Sequence, residues 1–236
     1  MAKRLINATR CEIIKTATKM FLTEGYSKTT AKMICDKIGI STGNLTFYFP
    51  TKEHLLSLLI TIMCDFQWKK MKQLTDEGAS AKLAFCLEIA AMAASCEDDP
   101  MARDLYISAY THPMTLDIIR KSDRARAPEV FGDYCADWRD VYYDEAETIV
   151  SGIEFATLMN TEASPALDVR LAGAIGSIMM IYRVPENVWR EKVNKVMAMD
   201  YRRIGRDIIT EFIEYAGSIS ELELEHIFKT RIKHEK

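Results

Sequence analysis

Three chain breakers in close succession, Gly25, Gly39 and Pro50, constrain most strongly how this chain begins to fold. They cut a helical apolar periodicity into one long and two short pieces. The spacing predicts a first helix over about 9–24, with Ile13, Ala17, Met20 and Phe21 on one face. Gly25 stops it as a residue that tolerates a left-handed C-cap. Thr29 or Thr30 then caps a short helix through Ile38, and Gly39 turns the chain. Ser41 caps a third helix running to Phe49, which Pro50 ends because proline disfavours helical geometry in the residue before it. Thr51 caps a fourth, from Lys52 to about Leu74. In this arrangement Ile34, Ile38, Ile40 and Leu45 are buried against Ile13, Ala17 and Phe21. The third helix exposes Thr42, Gly43, Asn44 and Thr46, small or polar residues suited to a helix that enters a DNA major groove.

The rest of the chain keeps the same period. Glycine and proline are scarce, 10 and 6 in 236 residues, and the fold class expected is all-α. Further helices are expected over 79–96, 100–111, 113–122, 128–161 (with a break near Gly152), 165–182, 186–216 and 220–232. Apolar residues make up 48%, enough for a substantial core. No apolar run is long enough for a bilayer, and no apolar segment or cleavage site follows Lys3 and Arg4, so a cytoplasmic chain without membrane contact is expected. The six cysteines (Cys11, Cys35, Cys64, Cys86, Cys96, Cys135) form no CxxC pair and are expected to be reduced and buried.

Net charge is -3, but its distribution is uneven: residues 1–54 carry nine Lys or Arg against four acids. A basic head on an acidic body fits phosphate contact at one end. The segment from Thr29 to Leu56, TTAKMICDKIGISTGNLTFYFPTKEHLL, resembles the TetR family of helix-turn-helix regulators. The match lies at Thr29, Thr30, Ile34, Gly39, Ser41, Gly43, Tyr48, Phe49, Lys52, Glu53 and Leu55, and the preceding helix fits at Ala17, Phe21, Gly25 and Tyr26. Thr46 and Phe47 depart from the Tyr and His frequent there, and Thr46 is the change expected to alter operator preference.

The resemblance implies a three-helix DNA-binding domain over 1–54 and a larger helical ligand-sensing and dimerisation domain over 55–236. It implies a homodimer that binds a pseudo-palindromic double-stranded operator and is released by a small-molecule effector. Thr30 and Ser41 are then phosphate-binding helix starts. Thr42, Asn44 and Thr46 become base-edge readers, and Gly43 a point of close approach. Tyr48 and Lys52 hold flanking phosphates, with Lys28 and Lys32 adding charge. Small residues over 165–182 and the apolar stripe Val193, Met197, Tyr201, Ile204, Ile208, Phe212 and Tyr215 suggest a four-helix dimer bundle or, alternatively, intramolecular core.

Met92, Tyr106, Tyr110, Tyr134, Trp138, Tyr142, Phe155 and Met159 are candidate ligand contacts, since soft and aromatic side chains suit adaptable pockets. Asp133, Asp137, Asp140, Asp144 and Glu147 form an acidic stripe. It reads as a solvated face or as a site for a cation, with Tyr134, Trp138 and Tyr142 supplying aromatic faces. No cofactor or metal is expected. The competing class is a helical ligand-binding or enzymatic protein without operator binding; only Glu97-Asp98-Asp99 with the acidic stripe offers a magnesium site.

Overall fold

A computed structural model of the chain describes residues 2–75, 80–224 and 227. Among the described residues there is no strand, and no helix is long and apolar enough to cross a membrane. Helix α1 (Ala2–Met20) runs into a π-helical turn (Phe21–Gly25). It is followed by α2 (Ala31–Ile38), α3 (Thr42–Tyr48), α4 (Lys52–Leu74), α5 (Ala81–Asp98), α6 (Pro100–Thr111) and α7 (Pro113–Phe131). The chain continues through α8 (Asp140–Leu158), α9 (Leu167–Ile181), α10 (Glu186–Met197) and α11 (Tyr201–Ser218).

The body is organised around α5, which packs against α4 and α6 to α11. Its run from Cys86 to Cys96 is buried on every side and apolar except at Glu88 and Ser95. Alanines at 84, 90, 91, 93 and 94 let neighbours come close. One close approach is at Gly205 of α11, where an added Cβ would lie 2.6 Å from the Ala91 carbonyl oxygen and 2.7 Å from Ser95 Oγ. At the other end α1, α2 and α3 form a small bundle on Ile13, Ala17, Phe21, Ile34 and Leu45, all buried, with Ile38 and Ile40 half-buried at its edge. The expected boundary at 54/55 falls inside α4, so one unbroken helix is shared by the small bundle and the body.

Three expected element boundaries differ. Pro128 does not open a helix: α7 runs through it to Phe131, because Val130 and Phe131 are drawn into the core and the Phe131 ring stacks on Tyr182 at 3.9 Å. The chain unwinds at 132–139 instead, and α8 starts only at Asp140. The expected helix over 186–216 is two, since Asp200 caps α11 by accepting the Arg203 amide at 3.1 Å. The apolar stripe of that segment closes onto the chain's own body: Val193, Ile208 and Phe212 are buried, and α11 packs on α5, α1 and α4. The expected start at Ala79 and the end of the 220–232 helix lie outside the described residues, although Ser220 and Glu223 form a reciprocal capping box. The cysteines are unpaired, and all but half-buried Cys64 are buried.

Candidate functional site

The turn between α2 and α3 is built from local chemistry. Thr30 caps α2 by accepting the Met33 amide at 3.2 Å, and Ser41 caps α3 by accepting the Asn44 amide at 3.1 Å. Each such cap is worth about 1 kcal/mol. Gly39 closes α2 in the left-handed conformation, its φ at 72°. Leu45 and Phe49 anchor α3 in the bundle, each 4% exposed, so its opposite face must look outward.

That face carries the residues the sequence singled out. Ser41, Thr42, Gly43, Asn44 and Thr46 are exposed together on α3, and Lys28, Thr30 and Lys32 are exposed beside them. The Thr30 and Ser41 oxygens serve as caps, but their hydroxyl protons stay free to donate to an anion. The Thr46 hydroxyl turns back to donate to the Gly43 carbonyl at 3.1 Å. Tyr48 is half-buried.

Two lysines are engaged within the chain. Lys32 pairs with Asp36 at 2.7 Å on an exposed surface, which cancels part of its field. The Lys52 ammonium donates to the carbonyls of Tyr26 and Thr29 at 3.0 and 3.1 Å and lies 4.0 Å from the centre of the Tyr26 ring. Lys52 thereby ties the first turn of α4 to the loop before α2, and one of its three donors remains for a phosphate.

Two features gained no role from the sequence. Phe47 is 72% exposed in the middle of the α3 face, packed edge-to-face on Tyr48 at 5.2 Å. An apolar ring there can meet a thymine methyl, and its exposure between small polar neighbours is the signal. Asp104 of α6 accepts the Ser27 amide at 2.7 Å and the Ser27 hydroxyl at 2.5 Å. It thus joins the body to the turn that precedes α2, where Gly25 has a φ of 96° and an added Cβ would sit 3.1 Å from Asp104 Oδ2.

A cavity of about 40 Å³ lies inside the body between α4, α5, α6, α7 and α8. Met92, Tyr106 and Tyr110 line it, together with Met63, Gln67, Phe85, Glu88, Asp123, Arg126 and Glu154. Phe155 stands behind, stacked on Tyr110 at 6.4 Å. The other expected contacts lie elsewhere: Trp138 and Tyr142 border a surface cleft with Ile149 and Arg183, Tyr134 lies outside both lining sets, and Met159 is exposed at the end of α8.

The cavity's polar wall is an ion-pair network. Arg126 makes two bonds to Glu88, at 3.1 and 3.0 Å, pairs with Asp123, and lies over the Trp68 ring at 4.9 Å. Tyr110 donates to Glu154 Oε2 at 3.0 Å, Gln67 donates to Tyr106, and beyond the cavity Tyr182 donates to Glu147. Burial pushes the Glu154 carboxyl well above the usual carboxylate range, with Asp123 and Glu147 adding to the rise. Burial, then Asp123, lifts Glu147 to about 8.

The acidic stripe does not form an open cation site. Asp133 pairs with Lys82, Asp137 with Arg183, and Asp140 and Asp144 both with Arg124. The three aromatic faces are covered by the chain's own cations: Lys82 over Tyr134 at 5.2 Å, Arg183 over Trp138 at 5.6 Å and Arg139 over Tyr142 at 5.2 Å. Glu97 and Asp98 are likewise consumed by Arg170, Arg202 and Arg206, and Asp99 caps α6. Among the described residues no three His, Cys, Asp or Glu gather as metal ligands would.

Comparison with known proteins agrees with the α2–α3 geometry. Residues 13–59 match the family described as bacterial regulatory proteins, tetR family. An uncharacterised HTH-type transcriptional regulator of Bacillus subtilis, YuxN, is 33% identical over 73 residues, which are 31% of this chain and 25% of that protein. The HTH-type transcriptional repressor KstR2 of Mycobacterium tuberculosis is 29% identical over 75 residues, 32% of this chain and 38% of its own. The chain thus spans between a quarter and two fifths of these relatives. Among solved structures, GusR of Salmonella enterica aligns over 75% of this chain and 96% of its own at 18% identity, with a TM-score of 0.46.

Proposed function

We propose that this chain, a member of the tetR family of bacterial regulatory proteins, is a cytosolic transcriptional repressor that binds a pseudo-palindromic operator as a homodimer and leaves it when a small molecule enters the helical body. The observation that carries the reading is the exposed polar face of α3, Thr42, Asn44 and Thr46, held outward by buried Leu45 and flanked by exposed Lys28 and Thr30. Asn44 has the two-pronged amide that reads adenine, and the threonine hydroxyls suit either donor or acceptor edges. Lys28, Tyr48 and the free donor of Lys52 hold phosphates and fix register rather than sequence.

A dimer supplies the second recognition helix, one turn of DNA away. The surface that supports it is apolar and exposed: Tyr142 and Ile149 on α8, with Val169 and Met180 on α9, are 41%, 51%, 58% and 61% exposed. Small residues Gly173 and Ser177 between the last two allow helices to pack closely. The bundle is therefore assigned to α8 and α9, not to α9 with the buried stripe of α10 and α11.

The test is selection of operator from a randomised duplex pool, followed by anisotropy at two salt concentrations. Asn44→Ala should cost about 1–3 kcal/mol and relax preference at one base pair in each half-site. Lys28→Ala should weaken all sequences alike and flatten the salt dependence by about one contact. Recovery of no common sequence, or binding indifferent to salt, defeats the assignment.

A further inference from the structure

The cavity wall carries more carboxyl groups than cations. Three carboxyl groups face it, Glu88, Asp123 and Glu154, and Arg126 is the single cation in the lining. Arg126 spends its guanidinium on Glu88 and Asp123. Glu154 is left with only the Tyr110 hydroxyl, on Oε2. Its side chain is buried (the residue is 5% exposed), it lines the cavity, and no hydrogen bond reaches Oε1 among the described residues. The exposed acids of the Asp133–Asp144 stripe meet their own cations, and buried Glu147, which has only the Tyr182 hydroxyl, lies outside the cavity lining. Glu154 is different in being buried, facing open space and lacking a cation.

We propose that the cavity takes a small organic monocation, an ammonium group on a narrow apolar chain, whose charge is received by the free oxygen of Glu154. The inference rests on reading the helical body as the sensor and names the class of its effector. Apolar contacts come from Ile60, Met63, Ile89, Met92 and Ile119. Methionine is the adaptable part of that wall. A cavity of about 40 Å³ by a measure in which a water needs roughly 10–15 Å³ holds about three waters, so only a short-chain amine fits, with the methionines giving way for its chain. A phosphate or carboxylate ligand is disfavoured, because it would add an anion to a wall that already has too many.

Burial favours the protonated form of this carboxyl, and an arriving ammonium group favours the ionised one, so cation binding is linked to proton release. Other groups face Glu154 from each packed helix: Glu88 on α5, Tyr110 on α6, and Asp123 and Arg126 on α7. Glu147 lies about two turns away on α8 itself, and Arg120 reaches α8 at Ser151, 2.9 Å from its hydroxyl. Glu88, also raised by burial, is held by Arg126, and Glu147 lies outside the lining, so the Glu154→Gln comparison isolates the response of Glu154.

The experiment titrates the full chain with n-butylamine and with n-butanol, its uncharged counterpart, following methionine methyl resonances by NMR at pH 6, 7 and 8. Met63 and Met92 should shift, butylamine should bind at least tenfold tighter than butanol at pH 8, and its affinity should rise with pH while butanol stays constant. Glu154→Gln should remove both differences while leaving butanol binding in place. Equal affinity of the two probes in the natural chain, pH-independent butylamine binding, or no shift at either methionine overturns the proposal without reference to the variant. Operator binding in the same preparation separates the two readings. A protein that holds its operator but ignores butylamine loses the cation site alone, and one that binds butylamine as expected but no DNA loses the regulator.

Discussion

Gly205→Ala tests whether the body's architecture is set by the contact of α11 with α5. An alanine Cβ there would lie 2.6 Å from the Ala91 carbonyl oxygen and 2.7 Å from Ser95 Oγ. Ordinary contact begins near 3.4 Å, so α11 must move by most of an ångström. Ser95 cannot yield easily, because its hydroxyl already donates to the Ala91 carbonyl at 2.9 Å. A separation of that size forfeits roughly a quarter to a half of the dispersion energy across the opened gap, and the gap would involve buried Ile208 and Phe212. Overpacking of this kind costs about 1–3 kcal/mol, against which the better helix propensity of alanine returns about 1 kcal/mol. The contact is backbone against Cβ, so we place the net loss at about 2 kcal/mol. In a chain of this size that lowers Tm by about 4–8 °C. Gly217→Ala is the matched control in the same helix, since nothing lies within 4 Å of its added Cβ, and it should raise Tm by up to about 3 °C. Calorimetric melts of the two variants decide the matter. A Gly205→Ala protein that melts at or above the natural chain would refute the contact argument.

Removing Arg126 strands Glu88 and Asp123, so Arg126→Leu should destabilise by about 3–5 kcal/mol in urea titrations, and adding Glu88→Leu should recover much of the loss. Glu147 is raised to about 8 in the fold, which means the native state keeps a proton that the unfolded chain releases above its ordinary carboxyl range. Stability from this group is full at low pH and declines as pH rises toward 8, at about 1.4 kcal/mol per unit; Glu147→Gln should flatten that part of the Tm–pH curve. Asp104→Ala removes both bonds to Ser27 at a cost of about 1–2 kcal/mol. Hydrogen exchange should quicken at the Ser27 and Thr29 amides while the amides of α5 are unchanged, and operator affinity should fall; protection equal to that of the natural chain counts against the link.

The small N-terminal bundle was legible because local and distant signals coincide there. Gly39, Ser41 and Pro50 each dictate a backbone event by their own chemistry, and the apolar residues between them fall on the faces those events create. Where only one kind of signal exists the reading slips. Pro128 is a strong local breaker, yet Phe131 three residues later has a stacking partner in Tyr182, far along the chain, and tertiary packing carries the helix through. Asp200 looks like another charge in a polar helix, and only the structure reveals it as a cap.

Helix α8 explains why the interior site was harder to see than the surface one. Read as a string, Asp140, Asp144, Glu147, Ser151 and Glu154 recur at three and four and describe one polar face turned to water. In the fold the stripe divides. Asp140 and Asp144 stay outside with Arg124, whereas Glu147 and Glu154, seven residues apart and so on the same side of the helix, are buried. Nothing local distinguishes the two halves, because what turns the second half inward is supplied by Tyr110 of α6 and Tyr182 after α9. A face that reads DNA has to be polar and outward whatever else the chain does, so its residues announce themselves by type. A buried carboxyl is defined by its partners, and among the described residues Glu154 has the Tyr110 hydroxyl and no cation.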